Sequence, residues 1–287
     1  MSKKLLVPIT ISFAFLFIFF HYIPVEKLKE ALSNVKPEDF LLAFFFYSLS
    51  QLIRSLRWFP MMRELGFWNI HLINSANIFL NNVLPARTGE LSWFYYAKKL
   101  GVPLKLSVWT FFVGRLFDLV ALLFWGTIFY GSAKGSLVSF FFALILSIVS
   151  VLSYKAYFLI PSWKKLKDLK EYLRENSSFK LFTFLFVCSL LSVLLKFLSL
   201  WKLLEVSSFS QFFISFSFGE LSTILPVHSF MGYGTYELSF ALPSKLTGEP
   251  TKDLLLNAFL AHNFLLISSA IYGIPSLFIL HGKRINN

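Results

Sequence analysis

The chain has 287 residues, of which 56% are hydrophobic and 19% aromatic, with 37 Phe and a mean hydropathy of +0.66; that apolar share exceeds what a soluble domain carries and requires lipid as solvent. A formal net charge of +12 would suit a nucleic-acid binder, but the basic residues fall in short segments between apolar runs, which excludes that partner and fits loops beside anionic headgroups. The lone Cys188 excludes an intrachain disulfide or a Cys-based metal cluster.

Apolar runs of spanning length are predicted at 5–23, 40–53, 104–130, 137–160, 181–204 and 254–280, about six helices in a single transmembrane domain covering 1–287. Lys3 and Lys4 ahead of the first run imitate a signal peptide, but no small-residue cleavage site follows, so the run is read as a retained helix. Arg57-Trp58 ends the second run as an interfacial anchor, with Arg57 facing headgroups. The longest polar stretch, 162–180, is read as a basic cytoplasmic loop.

Two segments, 74–100 and 212–246, are each interrupted midway. The first breaks at Pro85-Ala86-Arg87-Thr88-Gly89-Glu90 and the second at Pro226 and the stretch running through His228, Gly232, Gly234 and Glu237. Proline removes a backbone donor and glycine permits positive φ, so both breaks open a helix in mid-segment. Such backbone survives at membrane depth only inside protein or beside a wet cavity, which places the breaks together near the centre. If each segment returns to its own side, seventeen Lys and Arg lie inside and eight, Lys196 among them, outside. That bias puts both termini inside at the cytoplasmic (inner) membrane. The two segments then enter from opposite faces, giving an all-α integral membrane bundle with two oppositely oriented re-entrant helix pairs, an inverted repeat.

Arg87, Glu90, Arg115, Asp118, Glu220, His228, Glu237 and His262 fall within or beside apolar segments, where each ionised group is costly and needs a partner or a task. As structural pairs, Arg115 would neutralise Asp118 and Arg87 would neutralise Glu90, both three residues apart. As a binding site, Arg87 and Arg115 clamp an anion beside the helix ends opened at Pro85 and Pro226. Glu90, Asp118 and Glu237 then hold the arginines, carry a coupling proton or bind a cationic part of the substrate. Arg57, Pro85, Gly89, Pro226, His228, Gly232, Gly234 and His262 are secondary or gating candidates. His228 and His262 belong to no His-x-x-x-His motif, so no metal is expected, and Glu220 is a weaker candidate near the mouth of its half-helix.

Arg57-Trp58, the block 84–90, Arg115-Leu-Phe-Asp118, Leu225-Pro226 and Gly232-x-Gly234-x-x-Glu237 together resemble the transmembrane flippase domain of lysylphosphatidylglycerol synthases and its stand-alone relatives. The likeness spans roughly residues 54–280. It implies two inward-pointing re-entrant regions and movement of a modified phospholipid or polyprenyl-linked lipid between leaflets. The soluble aminoacyl-transferase domain of bifunctional members has no counterpart in these residues, so synthase activity is not carried over. A separate lipid-modifying enzyme is the partner this reading allows, and the oligomeric state is unassigned. The stretch 227–231 is bulkier than the family's glycine-rich form, which leaves the substrate open. No nucleotide-binding motif appears, and no cofactor is expected. The competing readings are an enzyme acting on a lipid phosphate or headgroup, with Glu90, Glu237 or a histidine as acid or base, and a non-catalytic membrane partner.

Overall fold

The computed structural model describes residues 3–161, 163–204, 208–224, 229–246 and 251–283, so Pro226 and His228 lie outside the described residues. The described chain is helical: α1 (Lys3–Tyr22), α2 (Val25–Asn34), α3 (Pro37–Trp58), α4 (Gly66–Val83), α5 (Leu91–Lys99), α6 (Leu104–Lys134), α7 (Leu137–Leu152), α8 (Lys164–Glu175), α9 (Phe179–Leu203), α10 (Phe209–Ile224), α11 (Thr235–Leu246) and α12 (Thr251–Gly282). Among the described residues four stretches are long and apolar enough to cross a bilayer, namely Leu104–Lys134, Leu137–Leu159, Phe179–Leu203 and Asp253–Gly282. The pair α1 and α2, bent by 86°, makes a fifth if counted as one span. The expected second span, α3, is long enough at 22 residues, but Gln51, Arg54 and Arg57 lower its apolar share below that of the other four. The stretch read as a basic loop contains the twelve-residue helix α8.

Local signals explain the helix limits. Pro37 starts α3, with Glu38 and Asp39 in its first turn opposing the helix dipole. Ser178 accepts a hydrogen bond from the Leu181 N–H at 3.2 Å to cap α9, and Gly135 in the left-handed region ends α6. Only 11% of the Leu137–Leu159 span is buried inside the protein, against 56% of the Leu104–Lys134 span. The first therefore faces lipid and the second forms the interior.

The centre is built on α3 lying along α9. Small residues meet in this contact: Ser50, Ser189 and Ser192 are all buried, Ser50 Oγ donates to the Ser192 carbonyl at 2.7 Å, and Ser189 accepts from Arg57. Close backbone approach of this kind is how helices associate where no hydrophobic driving force exists. Around this axis α4 packs on α12, α10 packs on α6 and α11, and α11 packs on α12.

Each broken segment turns back on itself, α5 along α4 and α11 along α10. The first reversal, Pro85–Glu90, holds Ala86 and Arg87 at φ of 53° and 57°; the second holds Met231, Gly232 and Gly234 at 53°, 75° and 92°. The two reversals lie next to each other, and α1 touches both. Gly89 owes its place to close packing: a Cβ there would sit 2.3 Å from the Leu80 carbonyl carbon and 2.4 Å from the Asn81 nitrogen. Gly89→Ala is accordingly expected to splay α4 from the turn and destabilise the protein by about 1–3 kcal/mol, the usual cost of overpacking. Gly126→Ala, where a Cβ meets open space, should leave thermal unfolding in detergent unchanged.

Candidate functional site

The central site begins with one carboxylate. Asp118 on α6 takes Arg54 at 2.6 Å on Oδ2 and Arg57 at 2.6 Å on Oδ1, and Arg57 also donates to Ser189 Oγ at 2.7 Å. Three helices, α3, α6 and α9, are thereby tied at one point. Arg57 is 1% exposed with its guanidinium 4.4 Å from the Trp58 ring centroid. It is an interior ion-pair residue, which corrects the expectation that it faces headgroups. The expected Arg115–Asp118 pair is also corrected, because Arg54 and Arg57 occupy both carboxylate oxygens.

Arg115 turns instead toward the first break, where its Nη2 lies 3.4 Å from Glu90 Oε1. The same carboxylate pairs with Arg87, as the three-residue spacing anticipated. The break is held locally as well: Asn77 Nδ2 donates to the Gly89 carbonyl at 3.2 Å and Ser92 Oγ donates to it at 2.6 Å. Backbone groups freed by the reversal thus find partners inside the protein, as a bilayer interior demands.

The second break carries a parallel arrangement. Glu237, fully buried, accepts the Gly234 N–H at 2.7 Å on Oε2 and pairs with His262 Nδ1 at 2.6 Å on Oε1. Tyr236 stacks on the His262 ring at 4.6 Å between centroids. Ser12 of α1 donates to the Phe230 carbonyl at 2.8 Å, so the first helix also supplies a partner to this break.

Between these clusters lies a cavity of about 80 Å³ that is partly open to the outside. Its walls come from α3 (Tyr47, Arg54), α4 (Asn81, Asn82), α6 (Arg115, Asp118), α9 (Ser192, Lys196), α10 (Glu220, Thr223), α11 (Tyr236) and α12 (His262). Lys196 and Glu220 pair across it at 2.7 Å. A smaller space of about 10 Å³ shares Arg54, Arg115 and Asp118 with it. These three side chains therefore form a charged partition between the two spaces.

A family model described as the lysylphosphatidylglycerol synthase TM region matches residues 5–273. The chain belongs to that family. A UPF0104 membrane protein of Methanocaldococcus jannaschii is 36% identical over 121 residues, which take in 40% of this chain and 36% of that relative's length. Family membership agrees with the helical membrane fold.

Of the residues expected from sequence, the structure sets Arg115, Asp118 and His262 in the cavity wall, with Arg87, Glu90 and Glu237 directly behind them. Arg54 and Lys196 were missed as site residues, having been counted as inner and outer loop charges, and Glu220 was undervalued. The available signal was their register: Ser50 and Ser192 touch, and Arg54 and Lys196 each stand one helical turn further along. Asp118→Ala should leave two guanidiniums uncompensated at depth and cost about 3–5 kcal/mol, the loss seen when one partner of a buried pair is removed. A fall in detergent unfolding temperature, together with restored stability in Asp118→Ala combined with Arg54→Ala and Arg57→Ala, is the expected result.

Proposed function

We propose that this protein moves an anionic or aminoacyl-modified phospholipid, or a polyprenyl-phosphate-linked lipid, between membrane leaflets. The observation that carries the reading is the charge balance of the central cavity. Among the described residues in and behind its wall, five basic side chains, Arg54, Arg57, Arg87, Arg115 and Lys196, stand against four carboxylates, Glu90, Asp118, Glu220 and Glu237. An excess of one positive charge at membrane depth is unfavourable unless an anion completes it. A lipid phosphate brings that charge while its chains stay in the hydrocarbon, and the forked guanidinium of Arg115 suits phosphate oxygens.

Several features support an inverted repeat as the framework of transport. The helix leading into each break packs on the last long helix of the other half, α4 on α12 and α10 on α6. The carboxylate that follows each break meets a basic residue 25 positions on, Glu90 with Arg115 and Glu237 with His262. Ser50 and Ser192 meet where an axis relating the halves would cross α3 and α9. Two halves rocking about such an axis would open a midplane site to each side in turn. Moving Arg54, Arg57 and Lys196 into the site leaves fifteen inner and seven outer basic residues, so the bias still favours both termini in the cytoplasm.

The test is translocation of fluorescent anionic phospholipids and of polyprenyl phosphates in proteoliposomes. Arg115→Ala and Arg87→Ala each leave Glu90 with one arginine, so both variants should fold. Each is expected to lose about tenfold to a hundredfold in rate, the effect of deleting a hydrogen bond from a charged donor. Unchanged rates in both variants, with unfolding temperatures like that of the parent, would overturn the assignment of these arginines.

A further inference from the structure

The two break carboxylates are matched in position but not in the chemistry of their partners. Glu90 meets Arg115, whose guanidinium holds its charge at any physiological pH; Glu237 meets His262, whose imidazole is the side-chain type that gains and loses a proton near neutrality. The matching carboxylates thus face a guanidinium in one half of the site and an imidazole in the other. We propose that His262 and Glu237 form a proton-binding site that couples one proton to occupation of the cavity by an anionic headgroup; this rests on the transport reading above.

The geometry states where the proton goes. Nδ1 of His262 is engaged by Glu237 Oε1 at 2.6 Å. With that nitrogen donating to an ionised carboxylate, the incoming proton is accepted at Nε2, giving an imidazolium–carboxylate pair. Glu237 also holds the Gly234 N–H at 2.7 Å, and Gly234 has a φ of +92° within the second break. The proton is therefore sensed at the reversal itself, through one shared carboxylate.

The groups facing His262 set the sign. Glu237 and Tyr236 approach from α11 and Tyr233 from the break, at 4.6 Å for Tyr236 and 5.2 Å for Tyr233 between ring centroids. Across the shared cavity stand Lys196 of α9, Glu220 of α10, Arg115 and Asp118 of α6, and Arg54 and Tyr47 of α3, while α4 contributes the uncharged Asn81 and Asn82. A proton on His262 raises the positive excess around the cavity from one to two. Proton and anion then favour each other, and by linkage each strengthens the other's binding equally. Anion occupation should accordingly weaken as pH rises, with a slope reaching about tenfold per pH unit for a single proton.

Two readouts on the full chain separate this proposal from the transport reading. In the first, imidazole nitrogen signals of histidine-labelled protein in nanodiscs are followed from pH 5.5 to 8.5, and the signal absent from His262→Gln is assigned to residue 262. It should titrate within that range, and its midpoint should rise when phosphatidylglycerol replaces phosphatidylcholine in the disc. In the second, translocation of fluorescent phosphatidylglycerol is measured over the same range with equal pH on both sides. The parent rate should depend on pH, and His262→Arg, which copies the charge of the first half, should make the profile flat. A residue 262 signal that does not titrate, or a midpoint indifferent to the anionic lipid, overturns the proposal, as does a His262→Arg variant with the parent's pH profile. Absence of translocation in the parent protein would defeat the transport reading, while the nitrogen titration would still decide the proton site.

Discussion

Everything in this molecule answers to one constraint: a bilayer interior provides no water to solvate a broken helix or an ionised side chain, so both must be satisfied by the protein itself. Asp118 meets the constraint for two arginines at once, and in doing so joins α3, α6 and α9. Remove that carboxylate and the helices lose their common fastening while two cations are left at depth. The same logic explains Asn77 and Ser92 at the first reversal and Ser12 at the second, each supplying a partner to the interrupted backbone.

The polar centre that is satisfied internally also encloses a space. The side chains that neutralise one another line a space bounded by helices from both ends of the chain, and their sum leaves positive charge to spare. A sealed structural knot would close on itself, as the buried Arg57 does with Asp118 and Ser189. Arg54, Arg115 and Lys196 instead keep part of their surface in the cavity. The partition made by Arg54, Arg115 and Asp118 stands between two spaces. In the proposed mechanism a phosphate exchanges partners there without ever being stripped of them.

Much of this was legible in the sequence, for reasons that can be located. The apolar surplus requires membrane helices, and Pro85 with Gly89 marks the first reversal because each residue acts on its own backbone. The Arg87–Glu90 pair is likewise a local matter of three residues. Asp118 illustrates the opposite case: Arg115 is its neighbour in sequence, but its partners come from 64 and 61 residues away, and only the packing of α3 against α6 and α9 brings them close. Arg54 looks like a flanking charge in a linear count, just past the apolar run 40–53, and Lys196 is counted with the outer charges although it lies inside the run 181–204. It takes the α3–α9 contact to show that they enter one cavity.

The central claim is that this cavity is a lipid-headgroup site reached from both faces of the membrane. It is tested most directly by a single cysteine at Thr223, a cavity-wall residue, placed in a chain whose Cys188 has been replaced by Ser. A membrane-impermeant maleimide is applied to right-side-out and to inverted vesicles. The account predicts labelling from either side, slowed in both orientations by anionic phospholipid. Labelling from one side alone under every lipid and pH condition, or none from either, would contradict it.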